Sequence, residues 1–221
     1  IYYAMNPQFL VFLNGEIRQG SDRNHKDIFL AKEGESGKKY IVDVQAYTGT
    51  DNSDFNLLGA LQMLDEETEA LYYDLIVPLR GFRRLPKESD AYINIEHDLN
   101  EAVNMLDLRD PYSSAYYDSI KKAREYLNKT IYAGNKHNSV TASVIGHTHI
   151  DVAWLWTVEQ TKAKVARSFS TVLELMKEYP EYLFMSSQPA LYTFLKDRYP
   201  ALYDQVKERV REGRWEVEGG M

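Results

Sequence analysis

Alternating apolar and polar positions dominate the first part of the chain. The segment from Gln8 to Leu13 is rich in Phe, Leu and Val, and Asn14-Gly15 follows it directly. An Asn-Gly pair at this place favours a two-residue hairpin turn, which predicts a return strand over 16–19. Further strands are predicted over the segments 40–47, 55–63 and 70–78. Short strands separated by turn residues are typical of a β-sandwich, so residues 1–92 are interpreted as the C-terminal part of such a module.

The hydrophobic period changes near residue 90. Apolar residues then recur at helical spacing, which predicts a helix from near Asp98. A second helix is predicted after Pro111, with Ser113 or Ser114 as its N-cap. Its apolar stripe comprises Tyr116, Ile120, Ala123, Leu127 and Ile131. Residues 93–139 are therefore predicted to form a helical connector, which ends in a polar loop over 134–138.

Strands and helices alternate from residue 140 onward. A strand to His149 is followed by a helix over 159–179 and a strand over 183–186. Two helices beginning near Pro189 and Pro200 come next, then Gly213 as a helix stop and a strand over 215–218. This order is typical of a parallel sheet or barrel. The predicted fold class is β followed by α/β, with residues 140–221 as the first strands and helices of a (β/α) barrel.

Composition narrows the possible partners. The 221 residues carry 33 acidic and 26 basic side chains, for a formal charge of −7, which argues against nucleic acid or an anionic membrane as a partner. No apolar run approaches the ~18 residues that a membrane-spanning helix needs. Because the chain has no cysteine, any metal site must use His, Asp or Glu. A cytoplasmic location is expected, and a chain that runs from Ile1 to Met221 is expected to be a piece of something longer.

The segment 144–156 carries the densest candidate chemistry. His147, His149 and Asp151 alternate at the end of a predicted buried strand, so their side chains are expected on one side. Metal ions bind nitrogen and oxygen donors held in fixed relation, and the carboxyl ends of parallel strands are where such folds place their sites. Trp154 and Trp156 follow and offer aromatic faces for a sugar ring. In the competing interpretations Asp151 is only a helix N-cap and the tryptophans belong to the core.

Weaker candidates lie at the ends of the other predicted strands. Ser186, Ser187 and Gln188 end one strand and are candidates for the same cleft, although helix capping alone explains Ser187. Glu216 and Glu218 lie two apart on the last strand and could supply carboxylates, or an ion pair with Arg214 or a nearby Lys could explain them. The loop over 19–25 is interpreted as a structured turn, and the acidic run over 65–69 as a solvated face.

Three stretches of the sequence resemble glycoside hydrolase family 38, the α-mannosidases, and in particular their bacterial and cytosolic branch. They are Gly-His-Thr-His-Ile-Asp-Val-Ala-Trp-Leu-Trp (146–156), Ala-Arg-Ser-Phe-Ser-Thr-Val-Leu-Glu-Leu-Met-Lys-Glu-Tyr-Pro-Glu-Tyr (166–182) with Ser-Ser-Gln-Pro-Ala-Leu-Tyr beyond it, and Glu-Gly-Arg-Trp-Glu-Val-Glu-Gly-Gly-Met (212–221). Upstream, residues 12–25 are similar to the sandwich module that precedes the catalytic domain in this branch.

The resemblance implies a retaining exo-α-mannosidase that binds one divalent metal ion, usually Zn²⁺. It places the metal ligands at His149 and Asp151 and the tryptophan that packs against mannose at Trp154. Asp151 would also contact the sugar hydroxyls, and His147 is expected to orient a ligand from behind it. The nucleophile of the family is expected just after Met221, so no catalytic carboxylate is expected within the chain, and the fragment alone is expected to be inactive.

The implied partner is a mannose-containing oligosaccharide, and the full-length protein is expected to be a homo-oligomer. Two other enzyme classes begin with similar motifs. In metallo-β-lactamase-like hydrolases a further His follows the Asp, where this chain has Val152. In amidohydrolases the two ligands would be His147 and His149, which leaves Asp151 unexplained. The non-enzymatic alternative is a carbohydrate-binding module.

Overall fold

A computed structural model of the chain describes residues 8–22, 24–47, 58–133 and 142–219. They divide into two compact units. One unit comprises the described residues within 1–57 and 143–221, and the other comprises those within 58–142. In the part of the chain that is described, no helix is both long enough and apolar enough to cross a bilayer.

An antiparallel sheet opens the first unit. Its strands are β1 (Gln8–Leu13), β2 (Glu16–Ser21) and β3 (Val42–Tyr47), in the order β2-β1-β3. Asn14 and Gly15 join β1 to β2 with φ values of 54° and 86°. A two-residue hairpin turn of type I′ requires positive φ at both central residues, and Asn and Gly adopt positive φ most readily. The hairpin predicted from Asn14-Gly15 is confirmed.

A second, parallel sheet lies in the same unit. Its strands are β4 (Gly146–His147), β5 (Phe184–Ser186) and β6 (Trp215–Val217), in the order β4-β5-β6. The register places His147 beside Met185, and Met185 beside Glu216. The connecting helices are α4 (Val158–Glu178), α5 (Pro189–Arg198) and α6 (Pro200–Arg211). The predicted alternation of strands and helices, with Pro at the start of α5 and α6, is confirmed.

Helix α4 provides the centre of the core of this unit. Its buried face carries Val165, Phe169 and Leu173, each at most 3% exposed. The ring of Phe169 lies 4.9 Å from that of Trp215 on β6 and 5.4 Å from that of Tyr192 on α5. The opposite surface of the helix is approached by β2, where the Thr171 hydroxyl donates to the Gly20 carbonyl at 3.0 Å. One helix therefore joins the parallel sheet to the antiparallel sheet.

The second unit is helical. It contains α1 (Glu66–Phe82), α2 (Asp90–Asn104) and α3 (Ser114–Leu127), which continues into a π-helical turn at Asn128–Tyr132. The Ser113 hydroxyl accepts from the Tyr116 N–H and caps α3, as predicted. The predicted stripe on α3 is confirmed, since Tyr116, Ile120, Ala123 and Leu127 are buried and Ile131 packs against them.

Three secondary-structure predictions in this region are wrong. The predicted strand over 70–78 lies inside α1, because Leu71, Leu75 and Leu79 recur every four residues and pack on the helical core. Residues 58–63 of the predicted strand over 55–63 have no regular secondary structure, and residues 55–57 lie outside the described residues. Helix α2 begins at Asp90 rather than near Asp98, because Ser89 caps it by accepting from the Tyr92 N–H.

The acidic run over 65–69 is more than a solvated face. Asp65 caps α1 by accepting from the Thr68 N–H at 2.9 Å, and its second oxygen accepts from the Tyr117 hydroxyl of α3. The domain division at residues 92 and 139 stays a prediction, although residue 92 itself lies within α2. The polar loop predicted over 134–138 lies outside the described residues.

The predicted strand over 140–149 is also shorter than expected. Only Gly146 and His147 are in β4, and residues 140 and 141 lie outside the described residues. Val144 and Ile145, predicted to be buried, are 88% and 50% exposed. The physical reason is that β4 is an edge strand of the parallel sheet, so in the described part of the chain only β5 pairs with it.

We expect Asp65→Ala to lower the stability of the helical unit by about 1 kcal/mol, because it removes an N-cap. The hydrogen bond from Tyr117, followed by that from the Thr68 N–H, lowers the pKa of Asp65 below 3.8. A carboxylate with a lowered folded pKa stabilises above its unfolded pKa, and this contribution disappears as the pH falls through the folded value. The difference between wild type and variant should therefore shrink below about pH 4.

The measurement is denaturant unfolding followed by far-UV circular dichroism, with the exposed first-turn residue Glu66 changed to Ala as the control. All three tryptophans lie in the other unit, so their fluorescence reports separately on that unit. A constant difference between Asp65→Ala and wild type from neutral to acid pH would contradict the prediction.

We expect Gly20→Ala to destabilise the first unit by about 1–3 kcal/mol, because β2 and α4 are in backbone contact there. A Cβ atom on Gly20 would lie 2.3 Å from the Arg167 carbonyl oxygen, which is fixed in the helix. The matched control is Gly34→Ala, since no atom lies within 4 Å of a Cβ at Gly34. Thermal unfolding followed by tryptophan fluorescence checks this, and equal stability of the two variants would disprove the close-contact argument.

Candidate active site

The candidate site lies in the segment that joins β4 to α4. Ile150, in the middle of this segment, is 1% exposed and belongs to the core around α4, and Val152 packs against the same core. In an extended segment the neighbours of inward residues point outward. His149 and Asp151 therefore face away from the core, although the strand itself ends at His147.

His149 and Asp151 contact each other directly. The distance from His149 Nε2 to Asp151 Oδ1 is 3.0 Å, and the two side chains are 64% and 44% exposed. The sequence-based prediction that this imidazole and this carboxylate share one side of the backbone is confirmed. The pair is accessible to an ion or a ligand from solvent.

His147 does not join this pair. It is exposed at the end of β4, beside Met185 of β5. Among the described residues, no group of three or more His, Asp or Glu side chains is placed to hold a metal ion. The expectation that His147 orients a ligand of the His149–Asp151 pair stays a prediction. The chain leaves the sheet after His147, so His149 and Asp151 lie beyond the strand that contains His147.

The His149–Asp151 pair fits part of a metal site. Two ligands bound 2.0–2.1 Å from a tetrahedral ion are about 3.3 Å apart, and the observed separation of 3.0 Å between nitrogen and oxygen is close to this. An imidazole nitrogen and a carboxylate oxygen are both ligands that Zn²⁺ accepts. Two donors make an incomplete first shell, so further ligands would have to come from elsewhere.

Two tryptophans lie beside the pair in sequence and contact each other. The rings of Trp154 and Trp156 are 5.6 Å apart at an interplanar angle of 88°. Trp154 is 59% exposed, whereas Trp156 is half-buried and its indole N–H donates to the Thr161 hydroxyl at 3.0 Å. The interpretation of Trp154 as a core residue is therefore wrong. An exposed indole face next to polar groups suits the apolar face of a sugar ring.

Helix α4 begins with its own cap, so Asp151 is not needed for that purpose. The Thr157 hydroxyl accepts from the Gln160 N–H, and the Gln160 side chain accepts from the Thr157 N–H, which together form a capping box. The alternative interpretation of Asp151 as the N-cap is therefore wrong. The carboxylate of Asp151 remains available for binding.

A lysine on α4 contributes positive charge next to the site. Burial lowers the pKa of Lys164, the nearby charge of Arg167 lowers it further, and the charge of Asp151 acts in the opposite direction. The Lys164 ammonium lies 4.8 Å from the centroid of the Trp156 ring. Sequence reasoning missed both Thr161 and Lys164, because periodicity predicts which residues of a helix face inward but not which polar groups they meet.

The ends of β5 and β6 present the weaker candidates. Ser186 is 1% exposed, and its carbonyl accepts from the Tyr192 hydroxyl at 2.8 Å. Ser187 does not cap α5, because the N-cap position is taken by Gln188, which has a φ of 72° and makes no side-chain capping bond. In the described structure the Ser186 Oγ and the Gln188 Oε1 are buried without a hydrogen-bond partner.

Glu216 and Glu218 are exposed on β6 and just after it. Arg214 does not supply the ion pair that would explain them, because its guanidinium donates to the carbonyls of Met176 and Tyr179 at 2.9 and 2.8 Å. In the predicted turn over 19–25, Asp22 accepts from the N–H groups of Asn24 and His25, as a structured turn requires. Residue 23 of that turn lies outside the described residues.

The part of the chain that contains the candidate site is similar to a known protein family. Residues 139–221 match the family model "Glycosyl hydrolases family 38 N-terminal domain". The chain is 32% identical over 163 residues to Alpha-mannosidase G of Dictyostelium discoideum, covering 72% of this chain and 14% of that protein. It is 30% identical over 160 residues to human Alpha-mannosidase 2C1, covering 72% and 15%.

A third relative, Alpha-mannosidase of Saccharomyces cerevisiae, is 29% identical over 183 residues, covering 77% of this chain and 16% of the yeast protein. The chain thus spans only about one seventh of the length of the curated relatives it matches. The matched stretch 139–221 contains the His149–Asp151 pair and both tryptophans of the candidate site. Residues 139–221 of the chain therefore belong to the N-terminal domain of glycoside hydrolase family 38.

Proposed function

We propose that the chain is part of a metal-dependent α-mannosidase that removes terminal α-linked mannose from oligosaccharides with retention of configuration. The observation that carries this proposal is the 3.0 Å contact between His149 Nε2 and Asp151 Oδ1 beside the exposed ring of Trp154. Family membership and the names of the relatives support mannose as the sugar.

In this proposal His149 and Asp151 are two ligands of one Zn²⁺ ion. When bound, the ion acts as a Lewis acid and as a template for neighbouring hydroxyl groups of the sugar. The free oxygen of Asp151 accepts a hydrogen bond from a sugar hydroxyl, since a carboxylate has acceptor sites on both oxygens. The exposed face of Trp154 covers the apolar C–H face of the ring and excludes water from it.

Retaining hydrolysis needs a carboxylate nucleophile and a carboxylic acid about 5–5.5 Å apart. No residue of the chain is assigned to the role of nucleophile in this proposal. The parallel sheet β4-β5-β6 with α4, α5 and α6 supports a (β/α) barrel as the setting, because the pair follows the carboxyl end of a strand. Cytoplasmic location and homo-oligomeric assembly remain parts of the proposal.

We expect Asp151→Ala, in the complete natural protein that contains this sequence, to lower kcat/KM for an aryl α-mannoside by on the order of 100-fold or more. The reason is that loss of a ligand that also binds substrate removes several kcal/mol of transition-state stabilisation. A chelator should inactivate the wild type to a similar level, and added Zn²⁺ should restore it.

The control for this experiment is Asp197→Ala, which removes an exposed carboxylate from α5 and should leave turnover unchanged. Turnover of Asp151→Ala equal to wild type, or wild-type turnover that resists the chelator, would refute the assignment. The anomer released from the substrate, followed by proton NMR, tests retention independently.

We expect His147→Ala to leave Zn²⁺ binding within about tenfold of wild type, and His149→Ala to weaken it much more. The reason is that His147 lies on β4 beside Met185, and no group of three His, Asp or Glu side chains among the described residues is placed to hold a metal ion. Binding is measured by competition with a chromophoric chelator, with His97→Ala on α2 as a control for nonspecific sites. An amidohydrolase-like site, in which His147 and His149 are joint ligands, predicts equal losses for the two variants.

A further inference from the structure

The hydroxyl of Thr161 is the most constrained polar group near the candidate site. Thr161 lies in the first turn of α4 and is 0% exposed. Its Oγ1 accepts from the Trp156 indole N–H at 3.0 Å and contacts three carbonyl oxygens, of which that of Val152 is the nearest. A hydroxyl has one proton to donate, and an indole N–H can only donate. The hydrogen bonds therefore run from Trp156 to Thr161 and from Thr161 to the Val152 carbonyl.

This chain of hydrogen bonds ties the candidate site to the helix. Val152 directly follows Asp151, and its carbonyl is held by a side chain that the core around α4 fixes in place. The Asp151 carbonyl lies 3.4 Å from the same hydroxyl. Because Thr161 is fully buried and Val152 and Trp156 are partly buried, loss of the hydroxyl leaves a partly buried polar group without its partner. The Thr161 hydroxyl thus fixes the Trp156 indole relative to the start of α4.

The ammonium group of Lys164 lies over the face of the Trp156 ring. The Lys164 Nζ lies 4.8 Å from the ring centroid, within the range at which an ammonium group attracts an indole face. Lys164 lies three residues after Thr161, so both project from neighbouring positions on one side of α4. The ring of Trp156 is therefore fixed at its N–H by Thr161 and over its face by Lys164.

The indole ring of Trp154 contacts the ring of Trp156. The two indoles meet edge to face, with centroids 5.6 Å apart and planes 88° apart, an arrangement that favours one orientation of the outer ring. We infer that Trp156, held by Thr161 and Lys164, is a positioning residue that sets the orientation of Trp154 for sugar binding without contacting the sugar itself. This inference rests on the proposed function for its ligand, and on the contacts of α4 for its geometry.

The structural half of the inference is tested in the 221-residue chain labelled with fluorotryptophan. The chain has three tryptophans, so its fluorine NMR spectrum should contain three resonances, which single Trp→Phe variants assign. We expect Thr161→Val and Lys164→Met to shift or broaden the resonances of Trp154 and Trp156 and to leave that of Trp215 in place. Thr161→Ser, which keeps the hydroxyl, should restore the wild-type spectrum.

The matched control is Lys162→Met. Lys162 lies on the same helix, and its ammonium is 5.5 Å from the centroid of an aromatic ring, but this ring belongs to Phe194 and not to a tryptophan. This variant should leave all three tryptophan resonances unchanged. Unchanged Trp154 and Trp156 resonances in both Thr161→Val and Lys164→Met would overturn the inference.

The functional half is tested in the complete natural protein. We expect Thr161→Val and Lys164→Met to raise KM for an aryl α-mannoside about tenfold with little change in kcat, because a stacking surface binds ground and transition states alike. Zn²⁺ affinity should stay near that of wild type. A variant that loses Zn²⁺ affinity in proportion to its activity would instead show that the network positions Asp151, and would overturn the role assigned to Trp154.

The fluorine NMR experiment and the kinetic experiment together distinguish failure of this inference from failure of the proposed function. If the wild-type protein does not cleave an α-mannoside, the proposed function fails, and sugar positioning fails with it. The fluorine spectra still decide whether Thr161 and Lys164 orient the tryptophan pair. If turnover is present but neither spectra nor KM respond, the inference fails while the proposed function stands.

Discussion

The packing of helix α4 is the interaction on which the first unit depends. Its inner face places Phe169 against Trp215 and Tyr192, so strands β5 and β6 and helix α5 are all held by contacts to one helix. The backbone of the same helix approaches β2 so closely at Gly20 that no side chain fits between them. Burial of aromatic surface is the largest stabilising term available to a core of this size. The two sheets therefore share one core element.

The same helix also sets the geometry of the candidate site. Its first turn holds residues 151–156 through the Thr161 hydroxyl, and Ile150 anchors the segment in the core that α4 forms. A segment of ten residues without regular structure between β4 and α4 would otherwise have considerable freedom. The buried residues Ile150 and Thr161 and the capping box at Thr157 reduce this freedom. The position of the site residues therefore depends more on packing against α4 than on the two-residue strand β4.

Much of the fold could be predicted from local signals, because these act over a few residues. The Asn14-Gly15 turn, the Ser113 cap and the stop at Gly213, with its φ of 72°, all follow from backbone preferences that neighbours hardly change. Helix α1 was mispredicted because its tyrosines and its Leu-Ile-Val run favour a strand locally. Packing of Leu71, Leu75 and Leu79 on α2 and α3 decided against that preference.

In the candidate site, too, some features follow from local sequence signals and others only from tertiary packing. The side shared by His149 and Asp151 follows from alternation in an extended segment, and it holds beyond the strand because Ile150 keeps the segment in register with the core. The position of His147 relative to this pair could not be predicted from alternation, because the residue at which a chain leaves its sheet depends on which strands flank it. Thr161 and Lys164 could not be identified either, because hydrogen bonds between a helix and a loop arise only from tertiary packing. A motif of alternating residues thus predicts which donors face together, whereas the contacts that hold them there come from residues that the motif does not contain.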